Sequence, residues 1–159
     1  MPLVIGIDPG TATIGYAIIR DNPDGSIEAI DYGAIITPKT DTAAVRLVQV
    51  YEQVTNLIAH YHPDSAAVEK LFFQKNITTA IAVGQARGVV MLALAQAGLE
   101  IGEYTPNEVK LAVTGYGSAD KRQVQEMVKV LLSLDTIPKP DDAADALAIA
   151  ITHLNTRRY

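Results

Sequence analysis

The sequence has no cysteine, no tryptophan and only two phenylalanines among its 159 residues. The absence of cysteine excludes a disulfide scaffold and a thiolate metal site. A hydrophobic fraction of 48% supplies enough apolar groups for a packed core, which excludes a disordered chain. The N-terminus lacks the basic start and cleavage site of a signal peptide, and no apolar run approaches the ~20 residues of a membrane helix. We therefore expect a cytoplasmic protein without a membrane span.

Positive charge is also scarce, because 13 basic residues stand against 18 acidic ones and the net charge is −5. A protein that binds nucleic acid usually carries a basic excess. Residues 66–130, however, hold seven basic and six acidic residues, so a locally basic groove is compatible with the acidic total. The length is typical of one domain, and we expect residues 1–159 to form a single one.

The hydrophobic pattern predicts an α/β chain. Three β-rich segments, 3–8, 13–19 and 27–36, are separated by short turns, which indicates an antiparallel meander. Helical and strand patterns then alternate, as is typical of parallel strands joined by helical crossovers. The elements expected after the meander are a helix at 43–61, a strand at 65–69, a helix at 77–97, a strand at 100–104 and helices at 107–113, 121–132 and 141–154.

Four acidic residues lie where core segments end or pack. Asp8 and Glu69 close two predicted strands, and strand ends of an α/β sheet face the crevice where ligands bind. Asp142 and Asp145 share one face of the last helix, which is otherwise rich in Ala, Leu and Ile. Two carboxylates on an apolar face repel each other and need a counter-charge. Oxygen ligands without cysteine predict Mg²⁺ or Mn²⁺ rather than Zn²⁺.

Each of these acids also has a simpler interpretation. Asp8 before Pro-Gly fits a turn residue, Glu69 fits a solvated strand end, and Asp142 fits a helix cap. Asp141 leaves a further alternative open, because it could pair with Asp145 four residues later and leave Asp142 without a role. We favour Asp142 as the ligand and Asp141 as the cap of the last helix.

Five sequence blocks together carry a resemblance to a known family. The blocks are GIDPGT with IGY at 6–16, VEKLFFQKN at 68–76, GQARG at 84–88, GYGSADK at 115–121 and DAADALAIA at 142–150. They resemble the RuvC-type Holliday junction resolvases, occur in the order of that family and span most of the chain. The first block also resembles the opening of actin-like ATPases and sugar kinases, so a nucleotide-binding protein of that kind is an alternative.

The resemblance implies a ribonuclease-H-like fold with a mixed five-stranded sheet flanked by helices. It also implies a homodimeric endonuclease of homologous recombination and DNA repair. Such an enzyme cuts four-way DNA junctions by paired symmetric nicks and leaves 5′-phosphate and 3′-hydroxyl ends. The implied cofactor is Mg²⁺, with two ions per subunit, and Mn²⁺ can substitute. The family further suggests the RuvA–RuvB branch-migration complex as a partner.

The resemblance also assigns site residues. The metal-binding and catalytic acids of the family fall on Asp8, Glu69, Asp142 and Asp145. An aromatic residue that stacks on an unpaired base falls on Phe72, although the neighbouring Phe73 is an alternative. Two functional lysines fall on Lys110 and Lys121, and phosphate contacts of this kind position a strand without specifying its sequence.

The predicted helix at 77–97 is apolar nearly all round and rich in small residues. A helix without a polar face is buried in a core or against a partner. We expect it to supply the dimer interface, because a two-fold interface uses one surface patch twice. Simple burial in the monomer is the alternative.

Overall fold

The first three strands form an antiparallel meander, and two further strands extend it on the other side. The computed structural model describes residues 2–10, 12–70 and 76–157. The strands are β1 (Leu3–Asp8), β2 (Thr13–Asp21), β3 (Ile27–Ile36), β4 (Ser65–Glu69) and β5 (Glu100–Tyr104). The helices are α1 (Ala43–Tyr61), α2 (Ile77–Gln96), α3 (Pro106–Thr114), α4 (Lys121–Leu131) and α5 (Asp141–Arg157).

The strand order is β3-β2-β1-β4-β5. β1 pairs antiparallel with β2 and parallel with β4, and β4 pairs parallel with β5. The predicted mixed sheet is therefore confirmed. Ile7 lies opposite Val68 in the parallel pair. Because the next residue in each strand is acidic, Asp8 and Glu69 leave the sheet at the same edge.

Helices cover both faces of the sheet. Alternate residues of β1 point to opposite faces, so Val4 packs with α3, α4 and α5, whereas Ile5 and Ile7 pack with α1 and α2. Eleven of the 17 residues of α5 are buried, and this helix contacts all five strands. Asp8 and Glu69 share the α5 side of the sheet, because each stands an even number of residues from a side chain on that face (Val4 and Ala67).

Two glycines allow α5 to lie directly on the strands. A Cβ atom on Gly6 would come within 2.5 Å of the Ala146 carbonyl oxygen. A Cβ atom on Gly15 would come within 1.9 Å of the Asp142 carbonyl oxygen. Gly15 is also the partner of Asp8 across the β1–β2 pair. The missing side chains therefore set how closely the acidic start of α5 approaches Asp8.

Helix α2 corrects the expectation that no apolar run approaches the length of a membrane helix. It is 20 residues long and apolar enough, by length and composition alone, to cross a membrane, because its few polar residues interrupt the apolar run without offsetting it. Only 28% of that stretch is buried within the described structure. Its buried residues Ala86, Val90 and Leu94 pack in the core beside α1. Ile77, Ile81 and Leu92 remain largely exposed.

A buried hydrogen-bonded chain ties α5 to the two outer parallel strands. His153, which is 1% exposed, bonds through Nδ1 to the Tyr104 hydroxyl (2.7 Å) and through Nε2 to Ser65 Oγ (3.0 Å). Burial lowers the pKa of His153 from its ordinary 6.5, and the charge of Arg157 lowers it further. The imidazole therefore stays neutral in the folded protein at a pH where it is protonated in the unfolded chain.

We predict that Gly15→Ala destabilises the protein by more than about 2 kcal/mol, because the new methyl group overlaps the backbone of α5. The measurement is the free energy of unfolding in urea. Gly117→Ala is the control, since a Cβ atom there meets nothing within 4 Å. Equal stability of the two variants would contradict the proposed close approach.

We also predict a pH-dependent contribution from His153. As the pH falls below about 6.5, the unfolded chain binds a proton that the folded chain excludes, so stability decreases by up to about 1 kcal/mol per pH unit. His153→Gln should remove this part of the slope in urea unfolding curves collected between neutral and mildly acidic pH. The exposed His60, changed in the same way, is the control. A His153→Gln slope equal to that of the wild type would show that His153 does not carry the effect.

Candidate active site

Four acidic side chains meet at the edge of the sheet where β1 and β4 end. Carboxylate oxygens of Asp8, Asp142 and Asp145 lie within 4.8 Å of one another. Glu69 adjoins this group, since its charge raises the pKa of Asp8, although it is not a member of the three-aspartate set. The structure thus brings together all four acids singled out in the sequence, and their roles as metal ligands stay a prediction.

Burial, with repulsion between neighbouring acids, raises the pKa of three of these side chains. The pKa of Asp8 rises from 3.8 to about 9, first because the group is buried and then because of repulsion from Glu69 and Asp145. Burial also raises the pKa of Glu69 and of Asp145. In the case of Asp145, the charge of Lys121 opposes the increase. A shared site in which several carboxylates resist ionisation is a site that favours a bound cation.

Lys121, the first residue of α4, contacts this cluster from the solvent side. Its Nζ lies 3.5 Å from Asp141 Oδ2 and 3.9 Å from Asp145 Oδ2, and the pKa of Lys121 rises, chiefly because of Asp145. The side chain is 59% exposed, so a substrate could reach it. One ammonium group does not balance four carboxylates.

A cleft of about 230 Å³ opens beside the acids. Both predicted lysines line it, together with Glu69 and Asp145. Its remaining walls are mostly apolar and come from α3, α4 and α5, for example Val109 and Ile149. Basic and acidic groups on one cleft suit an anionic substrate held next to a metal site. Phe72 and Phe73 lie outside the described residues.

The structure separates the functions of Asp141 and Asp142. Asp142 belongs to the cluster, whereas Asp141 accepts a hydrogen bond from Gln125 Nε2 (3.3 Å) and pairs with Lys121, so it anchors α4. The expectation that Asp141 caps α5 is wrong, because Asp141 is already the first residue of the helix. The Pro140 carbonyl oxygen accepts from the amides of both residues 143 and 144, at 3.0 and 3.2 Å.

Sequence reasoning assigned no function to Arg87. Its Nε donates to the main-chain oxygen of Glu69 (3.3 Å), and its Nη2 donates to the carboxylate of Glu103 on β5. The GQARG block that contains Arg87 was a signal that this residue matters. Its contact with a carbonyl oxygen, however, depends on how α2 packs behind β4, and no spacing reveals that.

The donor set fits a hard divalent cation. It consists of carboxylate oxygens alone, and repulsion from Glu69 and Asp145 adds to the effect of burial in raising the pKa of Asp8. Mg²⁺ and Mn²⁺ prefer such ligands, whereas the cysteine and histidine that favour other metals are absent from the set.

Comparison with known proteins identifies the family. A family model described as crossover junction endodeoxyribonuclease RuvC matches residues 4–153. The chain belongs to the RuvC family. The RuvC endonuclease of Chloroflexus aurantiacus is 58% identical over 152 residues, which cover 96% of this chain and 92% of the relative. RuvC nucleases are metal-dependent, and the acidic cluster is suited to bind a metal.

Solved structures of the RuvC family share the architecture. The structure of Thermus thermophilus RuvC matches with a TM-score of 0.91 at 34% identity, covering 98% of this chain and 95% of that one. The same relative in complex with a Holliday junction substrate matches with a TM-score of 0.89 at 31% identity and the same 98% and 95% coverage. The expected ribonuclease-H-like fold is thereby confirmed.

We predict that Asp8→Asn stabilises the metal-free protein. Because the pKa of Asp8 rises in the folded state, the folded chain keeps a proton that the unfolded chain releases, and stability falls as the pH rises from 3.8 towards about 9. Replacing the carboxyl group by an amide should raise Tm by about 5 °C near pH 8, if the gain is about 2 kcal/mol, and by less in acid. Differential scanning calorimetry in a chelator measures this.

The exposed Asp135→Asn removes the same formal charge and serves as the control. Addition of Mg²⁺ should raise Tm of the wild type and of this control more than that of Asp8→Asn, because ligand binding stabilises the folded state. A metal-free Asp8→Asn protein that melts below the wild type would contradict the repulsion described here.

Proposed function

We propose that this chain is a crossover junction endodeoxyribonuclease that resolves Holliday junctions in homologous recombination and DNA repair. It nicks two strands symmetrically and leaves 5′-phosphate and 3′-hydroxyl ends. The observation that carries the proposal is the clustering of three aspartates within 4.8 Å beside a cleft lined by two lysines, in a chain of the RuvC family.

The four acids hold the metal. Asp8 and Glu69 approach it from the sheet, and Asp142 and Asp145 approach it from α5. The unfavourable ionisation of Asp8, Glu69 and Asp145 supports this role, because a bound dication compensates the charge that burial and repulsion penalise. We propose two Mg²⁺ ions per subunit, with Mn²⁺ as a substitute. When bound, such ions supply an activated water nucleophile and stabilise the charge that develops on the phosphate and the leaving 3′ oxygen.

Lys110 and Lys121 position the DNA strand. Both line the cleft next to Glu69 and Asp145, so a phosphate that enters the cleft meets positive charge beside the carboxylates. Lys121 contacts Asp141 and Asp145 without DNA, and it can exchange these exposed ion pairs for a phosphate at little cost. We assign base stacking at the junction centre to Phe72.

We further propose that the enzyme is a single-domain cytoplasmic homodimer whose partner is the RuvA–RuvB branch-migration complex. The exposed apolar side chains of α2 support an interface there. Ile77, Ile81 and Leu92 are 74%, 58% and 51% exposed, so a partner that covers this helix would bury apolar surface. A two-fold dimer supplies two symmetric acidic sites, one for each nick.

We predict that Glu69→Gln and Asp145→Asn abolish cutting but keep junction binding. Each variant loses a metal ligand, so the single-turnover cleavage rate of a synthetic four-way junction with Mg²⁺ should fall by at least about a hundredfold. Affinity for the junction without metal should stay equal or increase, because less negative charge repels the phosphates. Gel-shift titration and mapping of the nicks measure the two properties.

Asp135→Asn is the control and should cut like the wild type. Loss of binding together with cleavage would count against a metal site and favour a direct DNA contact. A wild type that hydrolyses ATP and leaves branched DNA intact would instead favour the nucleotide-binding alternative.

A further inference from the structure

We propose that Arg87 is a positioning residue, which holds the end of β4 so that Glu69 faces the metal site. The inference rests on the proposed function of Glu69 as a ligand. Arg87 stands in the middle of α2, on the opposite face of the sheet from α5. It therefore contacts Glu69 from the α2 face of the sheet, and its guanidinium does not pair with the carboxylates of the acidic cluster.

The main-chain oxygen of Glu69 is the point of contact. The Arg87 Nε donates to it at 3.3 Å. Glu69 is the last residue of β4, and the pairing of β4 with β1 has already ended at Val68. On the other side β5 still holds the chain, since Glu69 lies opposite Tyr104 and the Lys70 amide donates to the Tyr104 main-chain oxygen at 2.7 Å. On the side of β1 the support is gone, and there the arginine supplies a restraint on the main-chain oxygen of Glu69.

Glu103 holds the guanidinium in the required orientation. The Arg87 Nη2 pairs with the Glu103 carboxylate, so one planar group connects β5 with the end of β4. The Arg87 side chain is only 19% exposed, which argues against a solvated charge that waits for DNA. A lysine has a single ammonium group and cannot make both contacts with the same geometry.

The geometry also links two parts of the enzyme. Ala86 and Val90, on either side of Arg87, are buried in the core, so the base of the arginine is rigid. The outer surface of the same helix carries the proposed dimer interface. The side chain that orients Glu69 is therefore supplied by the helix that would join the two subunits.

The test compares Arg87→Lys and Arg87→Gln with the wild type. Isothermal titration of Mn²⁺ into the DNA-free protein should show about tenfold weaker binding in both variants, because partners that orient a ligand typically contribute this much. The single-turnover rate of junction cleavage should fall similarly and recover in part at high Mn²⁺. Junction affinity without metal should not change.

Two further variants separate positioning from folding. Arg46→Lys is the matched control, since Arg46 is a half-buried arginine whose Nε donates to Thr37 Oγ1 (2.9 Å), and it should bind Mn²⁺ like the wild type. Glu103→Gln keeps Arg87 but loosens its orientation, and it should weaken Mn²⁺ binding severalfold with little change in Tm. If the Arg87 variants do not fold, this variant decides the proposal.

Three results would overturn the proposal. Unchanged Mn²⁺ affinity in the variants that fold would show that Arg87 does not orient a ligand. A salt-dependent loss of junction binding without metal would make Arg87 a phosphate contact. Mn²⁺ binding weakened only in proportion to a general loss of stability would make it structural. Failure of the proposed function is distinct, because a wild type that binds Mn²⁺ but never cuts junctions still allows the affinity comparison.

Discussion

Repulsion between carboxylates in a partly buried site is the interaction on which the rest of the structure depends. Water does not offset this repulsion fully, because burial is the largest cause of the raised pKa of Asp8. A basic neighbour does not offset it fully either, because Lys121 reaches only one side of the group. The fold must therefore hold the acidic side chains together against their electrostatic repulsion. Parallel pairing of β1 and β4 does this for two of them, and the packing of α5 does it for the other two.

The supports of the site come from three directions. Glycines under α5 bring Asp142 and Asp145 down to the sheet, α4 holds Asp141 and approaches through Lys121, and α2 reaches Glu69 from the opposite face. None of these supports is a metal ligand in the proposed scheme. A small domain can build a charged site in this way because each functional residue lies on a regular element fixed by apolar packing on its other side.

Much of the fold and the acidic cluster follow from the sequence alone. Strand patterns and turn residues predict the meander, and Asp8 and Glu69 are recognisable because each ends a buried strand. Asp145 stands out because it interrupts an apolar helix. The cap of α5 was mispredicted because the backbone carbonyl of Pro140, rather than an acidic side chain, accepts the first amides. The role of Arg87 was not predicted, because its partner is a main-chain oxygen on another element and such a contact leaves no periodic pattern in the sequence.

The deep burial of α5 has a consequence for how the molecule opens. Eleven residues of this helix are buried and it contacts all five strands, so the amide hydrogens of its buried part are released to solvent only when the domain comes apart. Loss of structure at the periphery then leaves the helix on the sheet. Asp142 and Asp145 therefore lie on the element that unfolds last, and partial loss of structure elsewhere does not separate these two side chains.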